Sequence, residues 1–162
     1  MTQNRPDHDR RPALYTPQER MRRDQTKWTL VQGILAPLQF LAFATSLVLV
    51  LRYMLTGTGY EAATLSIVIK TAFLYLIMIT GAIWEKVVFG QYLLAPAFYW
   101  EDVFSFGVIA LHTAYLFTLY TGLLDHTGQM TLALAAYAAY VVNATQFILK
   151  LRAARLDAAV PA

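Results

Sequence analysis

Three carboxylic acids stand at the two edges of one aromatic stretch: Glu85 on one side, and the adjacent Glu101 and Asp102 on the other. Residues 87–100 between them are mostly apolar and hold Phe89, Tyr92, Phe98, Tyr99 and Trp100. Two carboxyls brought together in apolar surroundings suit proton transfer. Burial favours the neutral acid, and a second carboxylate nearby favours it further, so one group can hold a proton while the other accepts one. Glu85 and Glu101 lie at opposite ends of a single connection, and the helices flanking it can bring them face to face. They are the expected acid–base pair, in either order. Asp102 sits about 100° around a helix from Glu101, which turns it away from the same site and leaves it a reserve candidate. The plainer alternative is that all three acids mark helix ends in headgroup water. The aromatic stretch likewise reads either as an interfacial loop, since Tyr and Trp gather at membrane surfaces, or as a flat wall for a flat ligand, with Trp84, Tyr99 and Trp100 stacking on it.

Other polar residues fall into stripes. Gln32, Gln39 and Ser46 are seven apart, on one face of a helix. Pro37 lies among them and leaves the Gly33 carbonyl without its helical donor. Glu101, Ser105 and His112 share a second stripe, with Glu101 and His112 about 16 Å apart along the axis. Asn143, Gln146 and Lys150 form a third. The glutamines and Asn143 serve as interhelical glue or line a ligand pocket. His112 bonds a neighbouring helix, orients a water, or ligates a magnesium ion carried by a ligand. Lys70 is expected to snorkel toward the far interface, or else to have a role that sequence does not reveal.

These stripes need helices in lipid to hold them. The 162 residues are 57% hydrophobic and 14% charged, against about 25% charged in soluble domains. So few charges cannot cover a surface in water. Cysteine is absent, which excludes disulfides, thiolate nucleophiles and cysteine-held metal clusters. The net charge of +3 forms no basic face for nucleic acid. Four apolar stretches, 28–51, 63–84, 103–119 and 130–149, match the roughly 20 helical residues that span a bilayer. The third is short, and reaches Trp100 only if Glu101 and Asp102 are buried. A polar leader precedes the first span and no cleavage pattern follows it, unlike a signal peptide. Thr16, Pro17 and Glu19 read as the start of a short basic helix, with N-cap, first residue and capping-box partner in order. Ala135 and Ala139 fit close helix contact in the last span.

The expected fold is therefore all-α: a polytopic four-transmembrane-helix bundle, with a disordered polar segment over 1–13, the membrane domain over 14–156 and a tail over 157–162. Ten Lys and Arg residues lie outside the first and last spans, seven before and three after, while the connections near Gly57 and Asp125 are poor in them. By the positive-inside rule both termini are cytoplasmic. The acids, the aromatic stretch, Gln32, Asn143 and Gln146 then gather in the cytoplasmic half, with Gln39 and His112 near mid-membrane.

Four segments carry a resemblance. They are Trp28-Thr-Leu-Val-Gln-Gly-Ile-Leu-Ala-Pro37, Trp84-Glu-Lys-Val-Val-Phe-Gly-Gln-Tyr-Leu-Leu-Ala-Pro-Ala-Phe-Tyr-Trp-Glu-Asp-Val-Phe104, Ala110-Leu-His-Thr-Ala-Tyr115 and Tyr140-Val-Val-Asn-Ala-Thr-Gln-Phe147. Together they resemble the vinyl bacteriochlorophyllide hydratases of phototrophic bacteria, over about residues 14–156, and the run from Trp84 to Phe104 is the specific part. The resemblance implies an inner-membrane enzyme of bacteriochlorophyll synthesis. Such enzymes hydrate the ring-A vinyl group of chlorophyllide, or of its bacteriochlorin analogue, to a 1-hydroxyethyl group. It implies no cofactor, since the magnesium belongs to the substrate. Its partners are then the pigment and membrane lipid, with self-association or contact with neighbouring pathway enzymes left open. Lys86 or Arg23 is placed to meet the substrate's carboxylate. Two rival classes remain: a non-catalytic pigment-binding or assembly factor, which needs no buried acids, and a b-type cytochrome, which needs two axial ligands where the spans supply only His112.

Overall fold

The computed structural model describes residues 13–159, with side chains to Leu156. The expected N-terminal segment, except residue 13, and the side chains of the expected tail lie outside the described residues. Five helices follow in order: α1 (Pro17–Gln25), α2 (Lys27–Thr56), α3 (Tyr60–Phe89), α4 (Tyr99–Thr121) and α5 (His126–Ala159). No strand occurs among the described residues. Helices α2 to α5 are each long and apolar enough to cross a membrane.

Local chemistry sets the boundaries. Thr16 Oγ1 accepts the Glu19 N–H at 3.3 Å, and the Glu19 carboxylate accepts the Thr16 N–H at 2.8 Å, so both halves of the capping box form. The basic helix stops at Gln25, two residues short of the expected Lys27, because Thr26 leaves the helical region and caps α2 through the Trp28 N–H. Helix α4 begins at Tyr99 with Glu101 and Asp102 buried, which supplies the length its apolar run lacked. Helix α3 ends at Gly90, whose φ of +86° turns the chain into the α3–α4 connection.

The helices pair as two antiparallel hairpins. Helix α2 meets α3 through Ser46–Ser66 at 2.7 Å, Gln32 donating to Thr80 at 2.7 Å, and Trp84 Nε1 donating to Thr29 Oγ1 at 2.9 Å. Helix α4 meets α5 through Lys150–Glu101, Asn143–Ser105 and Thr118–Gln129. The hairpins join where the Phe43 ring packs against Tyr137 and Tyr140, beside a Ser46–Tyr137 hydrogen bond. Between α3 and α4 the side-chain hydrogen bonds are Lys70–His112 and Tyr75–Thr113. Close packing on α5 runs through Ala133 and Ala136, both about 1% exposed. Ala135, expected at that contact, is exposed and Ala139 only partly buried, because the buried face of α5 is set by Tyr137 and Tyr140.

A second, smaller core seals one end. Tyr15, Val88, Phe98 and Ala154 are buried there, with Trp84, Phe89 and Phe147 packed against them. Helix α1 lies over this cluster. Tyr15 stacks on Phe89 at 5.8 Å, Arg23 sits over the Tyr15 ring, and Arg22 donates to the Val88 carbonyl. This end also holds the start of α2, the close of α5 and the α3–α4 connection, and is called the loop end below.

Candidate active site

The α3–α4 connection brings carboxyls together, but not the expected pair. The Glu85 carboxylate accepts the Ala95 N–H at 3.2 Å, and the Asp102 carboxylate accepts the Leu94 N–H at 2.7 Å. Two consecutive amides thus hold two acids from two helices, and the carboxyls lie within hydrogen-bonding reach of one another. Both side chains are buried, at 5% and 2% exposure. Two neighbouring carboxyls in one buried site can share a proton, the arrangement in which one acts as acid and the other as base.

Asp102, expected to face away, therefore lies beside Glu85. The 100° between Glu101 and Asp102 is preserved, but it is Asp102 that points at α3. Glu101 turns toward α5, where Lys150 Nζ reaches its carboxylate at 2.6 Å. The chain bends to present the amides. Leu94 adopts a φ of +59°, rare for a residue with a Cβ, and the turn closes by Phe98 N–H to Ala95 O at 2.8 Å and Asp102 N–H to Phe98 O at 3.0 Å. Such an outlier persists only where its surroundings hold it, and here the two carboxylates do.

The aromatic candidates separate. Trp84 is half-buried, packed roughly perpendicular to Phe89 and Phe98 at 5.7 Å each and tied to Thr29, so much of the indole is engaged by protein. Tyr99 and Trp100 stay exposed, at 44% and 65%, with Tyr92 at 61% nearby in the chain. They form an aromatic surface beside the acids. Lys86 donates to the Gly90 carbonyl and Arg23 pairs with Asp24. Both lie at the loop end with local partners.

Further along the bundle Lys70 does not snorkel. It is fully buried, with Nζ 2.5 Å from His112 Nε2 and over the Tyr140 ring at 4.2 Å. His112 Nδ1 donates to the Val108 carbonyl at 2.8 Å, so Nε2 is the acceptor for Lys70. Both ring nitrogens are thereby engaged, and ligation of a substrate magnesium by His112 would require Lys70 to leave. Among the described residues no cluster of three or more His, Cys, Asp or Glu could hold a metal.

Gln32 is absorbed in the α2–α3 contact. Asn143 donates to Ser105 Oγ at 2.8 Å. Gln39, at 2% exposure, has neither amide atom bonded, and Asn143 Oδ1 and Gln146 Oε1 are also without partners. The Leu94 and Ala95 amides were not foreseen, because a backbone donor leaves no trace in residue type. The Ala95-Pro96 step, at most, marks a turn there.

An all-helical bundle of four helices long and apolar enough to cross a membrane, with two buried carboxyls held on one loop at one end, defines a membrane-type bundle with a candidate acid–base site. Comparison with known proteins gives the family: the profile for 2-vinyl bacteriochlorophyllide hydratase (BCHF) matches residues 15–153. The 2-vinyl bacteriochlorophyllide hydratase of Rhodobacter capsulatus is 72% identical over 156 residues, covering 96% of this chain and 91% of that protein. The protein of the same name from Cereibacter sphaeroides is 74% identical over 144 residues, covering 89% of each. The chain belongs to this family and is a hydro-lyase of bacteriochlorophyll synthesis. No solved structure matches it.

Proposed function

We propose that this chain adds water across the ring-A vinyl group of chlorophyllide or a vinyl bacteriochlorophyllide to give a 1-hydroxyethyl group, and that Glu85 and Asp102 carry the proton transfers. The observation that carries the mechanism is the placing of both carboxyls on consecutive amides of one loop. The acid member gives its proton to the terminal vinyl carbon. The positive charge that forms on the inner carbon spreads into the macrocycle. The oxygen of a water molecule bonds to that carbon, and the water's surplus proton passes to the carboxylate member. One hydrogen and one hydroxyl are added, the pair again holds one proton, and no electrons are exchanged, so no cofactor enters. Magnesium arrives with the substrate. Glu101, fixed by Lys150, lines the same end and is the third candidate. The Tyr99 and Trp100 rings stand at 88° to one another, so one of them offers a face to the macrocycle and the other an edge, while Trp84 packs against the loop's Phe98. Gln32, Gln39, Asn143, Gln146 and His112 form the bundle interior below.

We further propose an inner-membrane location with the loop end cytoplasmic, on the strength of the basic residues that flank the bundle there. Reporter fusions after α5 should read cytoplasmic, and fusions near Gly57 and Asp125 periplasmic. A periplasmic C-terminus overturns the placement. For the reaction, membranes holding this chain are incubated with chlorophyllide and the pigment is analysed by mass. A product heavier by one water, lost with Glu85→Gln, is the expected result. Retention of pigment with no such product would favour the non-catalytic binder.

A further inference from the structure

The α2 stripe has a break in its bonding. Gln32 donates to Thr80, and Ser46 bonds Ser66 and Tyr137, yet Gln39 between them is buried with both amide atoms free. The register of α2 against α5 locates what it faces. Ser46 meets Tyr137, and the Phe43 ring meets Tyr140 at 4.8 Å. Three residues back on α2 correspond to three forward on α5, so the helices are antiparallel. One further turn sets Gln39 level with Asn143 and Ala144. Asn143 is buried there with Oδ1 unpartnered, and Gln146 Oε1, three residues on along the same face, is unpartnered too.

Three orphaned acceptors and one orphaned amide donor therefore meet at one level between two helices. In this packing they do not satisfy one another. No hydrogen bond joins these atoms to one another or to any other protein group, and each is shut off from bulk solvent. Buried polar atoms are nearly always paired with protein or with ordered water, and a water molecule brings the missing donors. We infer that this level of the bundle binds a small cluster of water, held by Gln39 and Asn143, and that the hydration reaction draws on it. The second half of this inference rests on the hydratase reading above. The exit is polar: Asn143 Nδ2 bonds Ser105 Oγ, Ser105 bonds the Glu101 carbonyl, and Lys150 meets the Glu101 carboxylate at the loop end. On the other side the ammonium of Lys70 and the ring of Tyr140 close the path.

Thermal melting of the purified full chain in detergent tests the site with no pigment present. Gln39→Met keeps the volume and removes both amide atoms. If they are merely orphaned, the change relieves two buried polar groups and Tm rises. If they hold water shared with Asn143, Tm falls by a few degrees. The Gln39→Met/Asn143→Leu double variant then loses less than the two single losses added, because the second change removes a partner already stranded. A fall with that coupling is expected. A rise, or a fall that is additive, overturns the water site. For the supply role, Gln39→Met should lower turnover about fivefold, the worth of one hydrogen bond, at unchanged KM for the pigment. Thermal coupling with unchanged turnover keeps the site and overturns the supply. Failure of the hydratase reading would show separately, as parent protein that forms no hydrated pigment.

Discussion

The bundle has two polar levels that solve burial in opposite ways. At the loop end, Glu85 and Asp102 are held by backbone amides of a bent connection, next in the chain to exposed Tyr99 and Trp100. At mid-bundle, Lys70 and His112 satisfy each other, the Val108 carbonyl takes the remaining ring N–H, and Tyr137 and Tyr140 cover the ammonium. The first level keeps two buried carboxyls next in the chain to exposed aromatic rings, which is what the proposed reaction needs. The second is sealed, with its valences filled. An ionisable residue inside a span is thus not a site by virtue of its burial alone. What distinguishes the two levels is the partner: loop amides for the carboxyls at one, a second ionisable side chain at the other.

The sharpest break between them is catalytic. Glu85→Gln and Asp102→Asn each keep an acceptor oxygen for the Ala95 or Leu94 amide, so the loop should stay folded. Each removes the exchangeable proton site, and general acid–base catalysis is worth about 10²–10⁴-fold. Turnover should fall on that order for both, while pigment binding, followed by absorbance, persists. Glu101→Gln should cost less, because its carboxylate is engaged by Lys150 rather than by the pair. Loss of turnover with Glu101→Gln but not with Asp102→Asn would restore the pairing expected from sequence and sink the one drawn from geometry.

The mid-bundle pair should answer with stability instead. Removing one partner of a buried charged pair strands the other, which costs about 3–5 kcal/mol. Replacing both partners by apolar groups is often neutral or stabilising, and stranding a neutral acceptor costs less than stranding a charge. So His112→Ala, which strands the ammonium, should lower Tm sharply, Lys70→Met, which strands only the neutral Nε2, should lower it less, and Lys70→Met/His112→Ala should melt above His112→Ala alone. The same variants bear on magnesium. With both imidazole nitrogens engaged, the parent protein should bind magnesium-containing and magnesium-free macrocycles with equal affinity. A preference for the metallated pigment that disappears with His112→Ala would assign His112 to the ligand after all.

Much of this was legible from periodicity. The four spans, the capping box at Thr16 and the polar stripes follow from spacing that a helix converts directly into faces. The α4 and α5 stripes do meet, at Ser105–Asn143 and Glu101–Lys150. The pairing of the acids was not legible, because it depends on the rotation of α3 against α4. That rotation is set by the nine-residue connection 90–98, whose course turns on Leu94, a residue type that gives no hint of positive φ. Lys70 was misread for a related reason. Snorkelling is one of the two readings open to a lone lysine in a span, and only the packing of His112 and two tyrosines around it reveals another partner. Trp84 could not be told from Trp100 by type, since both suit an interface, and the difference lies in which one Thr29, Phe89 and Phe98 engage.

The smallest expected effect concerns the strain at the loop end. Leu94 sits at φ +59°, a conformation that costs a residue with a Cβ roughly 1–2 kcal/mol. Its N–H is one of the two that hold the acids. Leu94→Gly removes that steric cost but adds freedom to the unfolded chain, worth about 0.4–1 kcal/mol, so Tm should change by a degree or two at most, and upward if at all. Gly90→Ala is the converse: at φ +86° an added Cβ meets no neighbouring atom within 4 Å, yet the backbone itself is strained. Tm should fall by a few degrees. Turnover separates the two roles of the loop. If the carboxyls bend Leu94 to fit them, a glycine adopts the same bend freely and turnover stays near the parent level. If instead the leucine side chain locks the connection in place, Leu94→Gly loosens both amides together and turnover falls with little change in Tm. The first outcome is expected, because Leu94 is 36% exposed and too lightly packed to fix the loop by itself.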